Sequence, residues 1–364
     1  MREPFFGPGL LHEEFCLRKS LEALRIAESK RASEDAYKPH AKVEKNVGLV
    51  IPSKPGDPNN FKNYFGQVSI KTRLALRLNA MEKGESLKAL FSAPAGIGKT
   101  ALARVVAHEM VNRKLIDNYF EFVAGKFADK KELDRFMRTL PPHSYVFIDE
   151  IHGLNDQVRD LLLPAIQDGL YAYSKKATME LLPEGISWVG ATTDLGKVHA
   201  ALQRRMNVVQ LDAMGEADRI RLVTSLKMNV TKTAAQEIAR RTWTPWEVKD
   251  EVFATARDIA LYRKRKSVIL DHALEAMALL GIDDNGLKIR DRLVIDALFN
   301  SVREVGGELR YGMSARALVA VTGLDMPTYL DVVEPKLLRL GFVRVSTLGR
   351  ELTPKSLETY YAAI

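Results

Sequence analysis

Residues 93–100, Ala93-Pro94-Ala95-Gly96-Ile97-Gly98-Lys99-Thr100, decide the fold. They match the phosphate-binding loop G-x-x-x-x-G-K-[ST], except that Ala93 replaces the first glycine. Leu90-Phe91 before the loop indicates a strand, and residues 101–111 after it indicate a helix. Since a strand, a glycine-rich turn and a helix N-terminus direct backbone N–H groups at an anion, the stretch predicts nucleotide binding.

A second motif, Tyr145-Val146-Phe147-Ile148-Asp149-Glu150, predicts the chemistry at this loop. Four apolar residues followed by two carboxylates describe a buried strand that ends at the carboxyl edge of a sheet, where ligands of open α/β sheets bind. Asp149 would hold Mg²⁺, and Glu150 would orient the attacking water. The alternative is a buried strand that ends in two solvated acids, but the preceding phosphate loop favours the catalytic interpretation.

Together the two motifs predict ATP and Mg²⁺ as the bound groups. Lys99 would reach the β- and γ-phosphates, and the metal ligands would be Thr100 and Asp149. The residues expected to bind nucleotide here are Ala95, Gly96, Ile97, Gly98, Lys99, Thr100, Ala101 and Asp149.

Two further features follow along the chain. Trp188-Val189-Gly190-Ala191-Thr192-Thr193 is another apolar strand that ends in hydroxyls, and such a polar residue could sense the γ-phosphate. Twelve residues later, Arg205 could reach the γ-phosphate of a neighbouring subunit and stabilise the transition state. Spacing alone does not establish this, because Arg204 and Arg205 in isolation are typical surface charges.

The order of apolar runs divides the chain into four parts. Residues 1–60 combine a helical pattern at 11–33 with a proline-rich tether, which is either a stabilising arm or a partner-docking helix. Residues 61–214 alternate strands and helices, which predicts an α/β domain with a parallel sheet. Residues 215–283 are helical without a good strand, and residues 284–364 have short helices followed by a small β signal. The predicted strands are 87–92, 120–124, 145–148, 186–190, 208–211, 341–345 and 350–353.

Composition narrows the class of protein. The 364 residues are 46% apolar and 27% charged, which permits a sizeable core. No apolar run approaches the roughly 18 residues that span a bilayer, and the N-terminus lacks an apolar signal region, so we expect no membrane association and a cytoplasmic location. The single Cys16 fits a reducing compartment. The net charge of +8 favours a polyanionic partner such as DNA without proving one.

These motifs together resemble the AAA+ ATPases and, among them, the RuvB family of Holliday junction branch migration motors. The resemblance covers residues 61–364. Its strongest elements are the run from Phe147 to His152, the sensor strand that ends at Thr193, and Arg205 in the position of the arginine finger. Tyr64 and Phe65, in Tyr64-Phe65-Gly66-Gln67, resemble the segment that contacts adenine.

The resemblance implies an AAA+ α/β ATPase domain, an all-α lid at residues 215–283 and a C-terminal winged-helix domain that contacts DNA. It implies a hexameric ring on duplex or four-way junction DNA, with Glu150, Thr193, Lys99 and, in trans, Arg205 as the catalytic groups. A RuvA-like or other adaptor would dock on a hairpin within residues 170–185. The DNA-binding residues would be Arg344, Arg350 and Lys355, although these could equally be solvated charges of the wing.

The chain departs from the family pattern in the lid and in the wing. Where the family has a sensor arginine after a Gly-Thr-Pro turn, this chain has Trp246 or Glu247, with Lys249 nearby as a weaker substitute. The hairpin is shorter, Leu348 replaces an arginine in the wing, and residues 1–60 have no clear counterpart.

Two functions therefore remain open. The first is a DNA-translocating ATPase of the branch migration type. The alternative is a nucleotide-switched assembly or loading factor with slow hydrolysis, which the lid and the hairpin favour. A non-catalytic ring subunit is disfavoured, because it would have little reason to keep Lys99, Thr100, Asp149, Glu150 and Arg205 in register.

Overall fold

Five short apolar stretches between residues 88 and 210 form one parallel sheet in the computed structural model, in the spatial order 118–123, 144–149, 187–192, 88–92 and 207–210. The model describes residues 49–361 except 55, 82–83, 127–129, 173–178, 306–307 and 348. The predicted helix at 11–33 and Leu348 lie outside the described residues. The strands up to residue 210 are Lys88–Ser92 (β1), Asn118–Val123 (β2), Ser144–Asp149 (β3), Leu170–Ala172 (β4), Met179–Leu181 (β5), Ser187–Thr192 (β6) and Asn207–Gln210 (β7). All five predicted strands of the α/β part are confirmed.

The sheet is buried on both faces because successive residues of its strands point to opposite sides. In β3, Tyr145 and Phe147 join one hydrophobic cluster, while Val146 and Ile148 join the other. Helices cover both faces, as continuous apolar strands require. They are Val68–Met81 (α1), Lys99–Asn112 (α2), Lys130–Thr139 (α3), Asp156–Asp168 (α4) and Ala200–Arg205 (α5).

Residues 216–282 pack around a separate helical core. The prediction that this segment has no strand is wrong in one detail, because Asn229–Val230 (β8) pairs in parallel with Ser267–Val268 (β9). Two-residue strands are too short to show a period in the sequence. The helices are Glu216–Thr224 (α6), Lys232–Arg241 (α7), the π-helix Glu247–Phe253, Ala254–Tyr262 (α8) and Leu270–Leu279 (α9).

The C-terminal part has its own core and an antiparallel sheet whose strands lie in the order 302–305, 308–313, 349–352 and 343–346. The predicted hairpin is confirmed as Val343–Ser346 (β12) and Gly349–Leu352 (β13). A second hairpin, Val302–Val305 (β10) and Glu308–Met313 (β11), was not predicted. The helices are Ile289–Phe299 (α10), Ala315–Thr322 (α11), Met326–Thr328 (α12), the π-helix Tyr329–Val333, Glu334–Leu340 (α13) and Pro354–Tyr360 (α14).

Every helix in the described ranges is too short or too polar to cross a bilayer.

Candidate nucleotide-binding site

A cleft of about 640 Å³ lies over the carboxyl ends of β1, β3 and β6. All of the predicted nucleotide-binding residues line this cleft, and residues of the lid form one of its walls. We call it the nucleotide cleft. Its lining residues are 52–54, 56–58, 63–65, 95–101, Arg104, His108, Asp149, Glu150, Thr193, Met214, Leu222, Ser225, Pro245, Trp246, Lys249 and Asp250.

The phosphate loop has the backbone shape that its two glycines permit. Gly96 and Gly98 have φ angles of 77° and 107°, a region that side-chain-bearing residues avoid, and Gly98 directly precedes α2. A Cβ atom on Gly98 would lie 3.1 Å from the hydroxyl of Tyr64. Ala93 is buried and lies outside the positive-φ region, which explains why alanine is tolerated in place of the first glycine.

Lys99 lies buried at the base of the loop. Its Nζ donates to the carbonyl oxygens of Ala93 at 2.8 Å and Pro94 at 3.2 Å. Burial lowers the pKa of Lys99, while the carboxylates of Glu150 and Asp149 oppose that shift. These carbonyl partners satisfy the ammonium group within the loop, at the place where the motif puts phosphate oxygens.

Thr100 and Asp149 meet across the cleft floor. The Thr100 hydroxyl donates to Oδ2 of Asp149 at 2.8 Å, and Oδ1 accepts from the backbone N–H of Glu150 at 3.0 Å. Burial raises the pKa of Asp149 despite these hydrogen bonds. A hydroxyl beside a carboxylate is a donor set that suits a hard divalent cation, so the two predicted metal ligands are together.

Glu150 is held by the neighbouring strand. Its φ of 48° is left-handed, a strained conformation for a residue with a side chain and one that is common at functional sites. Oε2 accepts from the Thr193 hydroxyl at 3.2 Å and the Thr193 N–H at 3.3 Å. Nδ1 of His152 lies 3.3 Å from the same oxygen and 3.0 Å from the Thr192 hydroxyl. The predicted water-orienting and sensing residues therefore contact each other.

The segment before the sheet closes one end of the cleft. Tyr64 is buried and its hydroxyl donates to the carbonyl of Gly98 at 3.3 Å, while Phe65 also lines the cleft. The side chain of Gln67 bonds in both directions to the backbone of Asp212, at the end of the α/β part. This segment thus lies where the resemblance expected the adenine contacts.

Several cleft residues were not predicted, and two of them lie on the helix that follows the phosphate loop. Arg104 and His108 follow Thr100 at helical spacing on α2, and the i, i+4, i+8 pattern was the available signal. Arg104 binds both oxygens of Glu121 in β2, at 3.0 and 2.6 Å. Nε2 of His108 is buried without a hydrogen-bond partner among the described residues, and burial lowers the pKa of the ring.

The lid wall of the cleft contains no arginine among the described residues. Trp246 lines the cleft with 51% of its surface exposed, whereas Glu247 is buried. Lys249, the possible substitute, donates to Oδ1 of Asp57 at 2.6 Å. Burial alone would raise the pKa of Asp57, but hydrogen bonds from Lys249 and the backbone N–H of Lys54 hold it below its usual value.

Arg205 does not line the cleft of its own chain. It ends α5, where Nη1 donates to the carbonyl of Ala201 at 3.0 Å and Nε is buried without a partner in the described part of the chain. Its role in the site of a neighbouring subunit stays a prediction.

The three predicted DNA contacts all have partners within the chain. Arg344, with 58% of its side chain exposed, binds Glu351 at 3.0 and 3.1 Å. Arg350 pairs with Glu334, and Lys355 donates to a backbone carbonyl at 2.7 Å. Phosphate contacts by Arg350 would therefore compete with an ion pair.

The predicted hairpin within residues 170–185 is present. Leu170–Ala172 pairs antiparallel with Met179–Leu181, and Met179 and Leu181 are exposed. The intervening Tyr173, Lys175 and Lys176 lie outside the described residues.

Comparisons with known proteins agree with this geometry. Residues 57–211 match the family model described as the Holliday junction DNA helicase RuvB P-loop domain. The Holliday junction branch migration complex subunit RuvB of Bdellovibrio bacteriovorus is 30% identical over 313 residues, which cover 81% of this chain and 90% of that protein. The subunit of the same name from Prochlorococcus marinus is 32% identical over 312 residues, which cover 81% and 85%. The solved Thermotoga maritima RuvB Holliday junction branch migration motor superposes with a TM-score of 0.70 at 28% identity, over 83% of this chain and 97% of that one. The predicted fold class is confirmed.

Proposed function

The chain belongs to the RuvB family, and on this basis we propose that it is an ATP-driven motor that moves duplex DNA during Holliday junction branch migration in recombination and repair. Nucleotide binding and ATP hydrolysis follow from family membership. The helicase activity, the hexameric ring and the partners are the proposal. One observation supports it most: the Thr100–Asp149 pair and the Glu150–Thr193 pair face one cleft above an intact phosphate loop.

The phosphate loop would bind the ATP phosphates through its backbone N–H groups and Lys99. The ammonium group would exchange the Ala93 and Pro94 carbonyls for phosphate oxygens. Because phosphoryl transfer depends on positioning and charge stabilisation, a buried cation at the base of the loop is well placed to act.

Thr100 and Asp149 are the residues that would hold Mg²⁺. Bound there, the ion would polarise the phosphate oxygens as a Lewis acid. The chemistry of these donors suits Mg²⁺, because the Thr100 hydroxyl lies 2.8 Å from one carboxylate oxygen of Asp149. The other carboxylate oxygen is held by the N–H of Glu150.

Glu150 would orient the attacking water, and Thr193 would contact the γ-phosphate. In this structure Thr193 donates to Glu150, so a phosphate that takes up the Thr193 donor would free the carboxylate for water. Arg205 would complete the site in a neighbouring copy, which requires a head-to-tail contact between copies such as a ring provides.

We assign residues 61–214 to the ATPase domain, 215–283 to the lid and 284–364 to the DNA-binding domain. Arg344, Arg350 and Lys355 would contact phosphates without sequence specificity, because phosphate contacts position a protein rather than read bases. An adaptor, RuvA-like or different, would dock on the hairpin of β4 and β5.

The second candidate, a nucleotide-switched loading factor, is favoured by the lid wall. With no arginine there among the described residues and with Lys249 held by Asp57, lid closure would add little charge to the γ-phosphate. Such a protein would hydrolyse ATP slowly and would not move a junction.

The test is the ATPase rate measured without DNA, with linear duplex and with a four-way junction, together with a junction-dissociation assay. The motor predicts DNA stimulation and ATP-dependent dissociation, both lost in Lys99→Ala. ATPase activity that no DNA stimulates, without junction dissociation, would rule out the motor and leave the loading factor.

A further inference from the structure

The lid turn at residues 243–247 begins with a helix cap built from Thr244 and Glu247. The Thr244 hydroxyl accepts from the Glu247 N–H at 3.1 Å. Oε2 of Glu247 accepts from the N–H groups of Trp243 and Thr244 at 2.7 and 3.2 Å. This is the T-x-x-E capping box, with Pro245 at the favourable first helical position. One carboxylate oxygen of Glu247 therefore fixes the turn.

The other oxygen faces the C-terminal domain. Oε1 of Glu247 lies 3.8 Å from Nζ of Lys336 in α13 and 3.9 Å from Nζ of Lys288. Lys336 also donates to Oδ2 of Asp291 at 2.8 Å. Exposed fractions are 8% for Glu247, 5% for Lys336 and 1% for Asp291, so solvent screens these charges little.

The same turn rests on the phosphate loop. The Trp246 N–H donates to the carbonyl of Gly96 at 3.4 Å. A Cβ atom on Gly96 would lie 3.0 Å from the Thr244 hydroxyl and 3.3 Å from Cβ of Trp246. A change of loop shape at Gly96 would therefore act directly on this turn, because packed contacts transmit displacement.

A cavity of about 370 Å³ marks where the three parts meet. Its wall includes Pro94 and Gly96 of the phosphate loop, Glu247 of the lid, and Asp331 and Lys336 of the C-terminal domain. The π-helix Glu247–Phe253 begins at this cavity, and the π-helix Tyr329–Val333 borders it through Asp331. Turns of π-helix are frequent at functional sites. The cavity leaves room for the turn to move relative to α13.

We propose that Glu247 is a positioning residue that transmits the state of the phosphate loop to the C-terminal domain. At Trp246 or Glu247 the family resemblance places a lid arginine directed at nucleotide, and this turn carries instead a buried carboxylate directed at Lys336. When bound nucleotide reshapes the loop at Gly96, the turn moves as a unit, and its carboxylate carries Lys336 and α13 with it. The proposal goes beyond the motor function and depends on it only for nucleotide binding.

Hydrogen exchange on binding AMP-PNP with Mg²⁺, in the absence of DNA, tests this directly. In the wild type we expect the backbone amide exchange rates of residues 329–340 to change by about fivefold or more. A change of about fivefold is the lower end of the range for energetically coupled sites. Glu247→Gln keeps an oxygen for the cap but removes the charge, so the response at 329–340 should disappear while protection at 93–100 remains. Glu275→Gln is the matched control, because it breaks a lid ion pair, Arg263–Glu275, that does not reach the C-terminal domain.

A triple variant, Glu247→Gln with Lys336→Gln and Asp291→Asn, guards against misfolding because it removes all three buried charges together and strands none of them. It should fold and should also lack the response. The inference is wrong if the wild type shows no response, if either Glu247 variant retains it, or if protection at 93–100 is lost with it. Since no DNA is present, these results are independent of whether DNA stimulates hydrolysis.

Discussion

The two walls of the nucleotide cleft use their charged residues differently. On the α/β wall, Lys99, Asp149 and Glu150 all border the cleft. Asp149 accepts a hydrogen bond there from Thr100, the residue that follows Lys99. On the lid side, Lys249 borders the cleft but is paired with Asp57, and Glu247, which does not line the cleft, faces Lys336. The α/β wall is therefore equipped for chemistry and the lid wall for holding parts of the chain together.

This difference follows from what each wall must satisfy. The groups on the α/β wall have partners that a phosphate or a metal ion can replace, such as the carbonyls of Ala93 and Pro94. Lys336 lies between the buried carboxylates of Glu247 and Asp291, and removing it would leave both without this cation, which is strongly destabilising. A ligand can thus reorganise the first wall locally but can move the second only as a unit.

The largest expected effect tests whether the α/β wall needs a neighbouring chain. Arg205→Ala should lower kcat by about 10³-fold or more, as loss of an arginine finger does. Glu150→Gln should lower it by about 10²- to 10⁴-fold, because the general base is lost. Mixing the two variants should restore activity at about a quarter of the interfaces, where an intact Glu150 meets an intact Arg205 of the next subunit. ATPase assays of each variant and of the mixture measure this.

Arg204→Ala is the matched control and should keep activity near that of the wild type. If the mixture stays as inactive as its components, Arg205 does not act in trans, and the α/β wall is complete within one chain.

A smaller effect tests the lid wall. Trp246→Arg would add a cation to a half-exposed position in the cleft. A hydrogen bond to a charged group contributes about 1.5 kcal/mol, so ATP should bind about tenfold more tightly. Titration with AMP-PNP measures this, and Trp246→Gln separates the added charge from the loss of the ring. Equal affinities for both variants would mean that the lid wall does not reach the phosphates.

The contrast between the walls also marks what could be predicted from the sequence. The strands of the α/β part, the loop, Asp149-Glu150 and Thr193 were all predicted, because buried parallel strands are continuous apolar runs whose ends point to the site. The hairpin of β10 and β11 was missed, although Gly306-Gly307 before the alternating run of residues 308–311 is a recognisable turn signal.

The role of the lid turn was harder to predict. Thr244 and Glu247 have capping-box spacing, but spacing does not show that the second oxygen of Glu247 faces Lys336, 89 residues later. The one-residue uncertainty between Trp246 and Glu247 for the sensor position lies next to an irregular helix. The helix from Glu247 to Phe253 is π-helical, and a π turn accommodates one residue more than an α turn.

The smallest expected effect concerns Ala93, the residue on the α/β wall that departs from the loop pattern. Ala93 is buried outside the positive-φ region, so glycine is not required there. Ala93→Gly should therefore leave AMP-PNP affinity within about twofold and lower the free energy of unfolding by about 0.5–1 kcal/mol, because glycine gains more freedom in the unfolded chain. Urea unfolding and nucleotide titration measure the two quantities, with Ala107→Gly in the core of α2 as a control for stability alone. A tenfold gain in affinity for Ala93→Gly only would mean that alanine restricts the loop, and the α/β wall would then be compromised at its first position rather than intact.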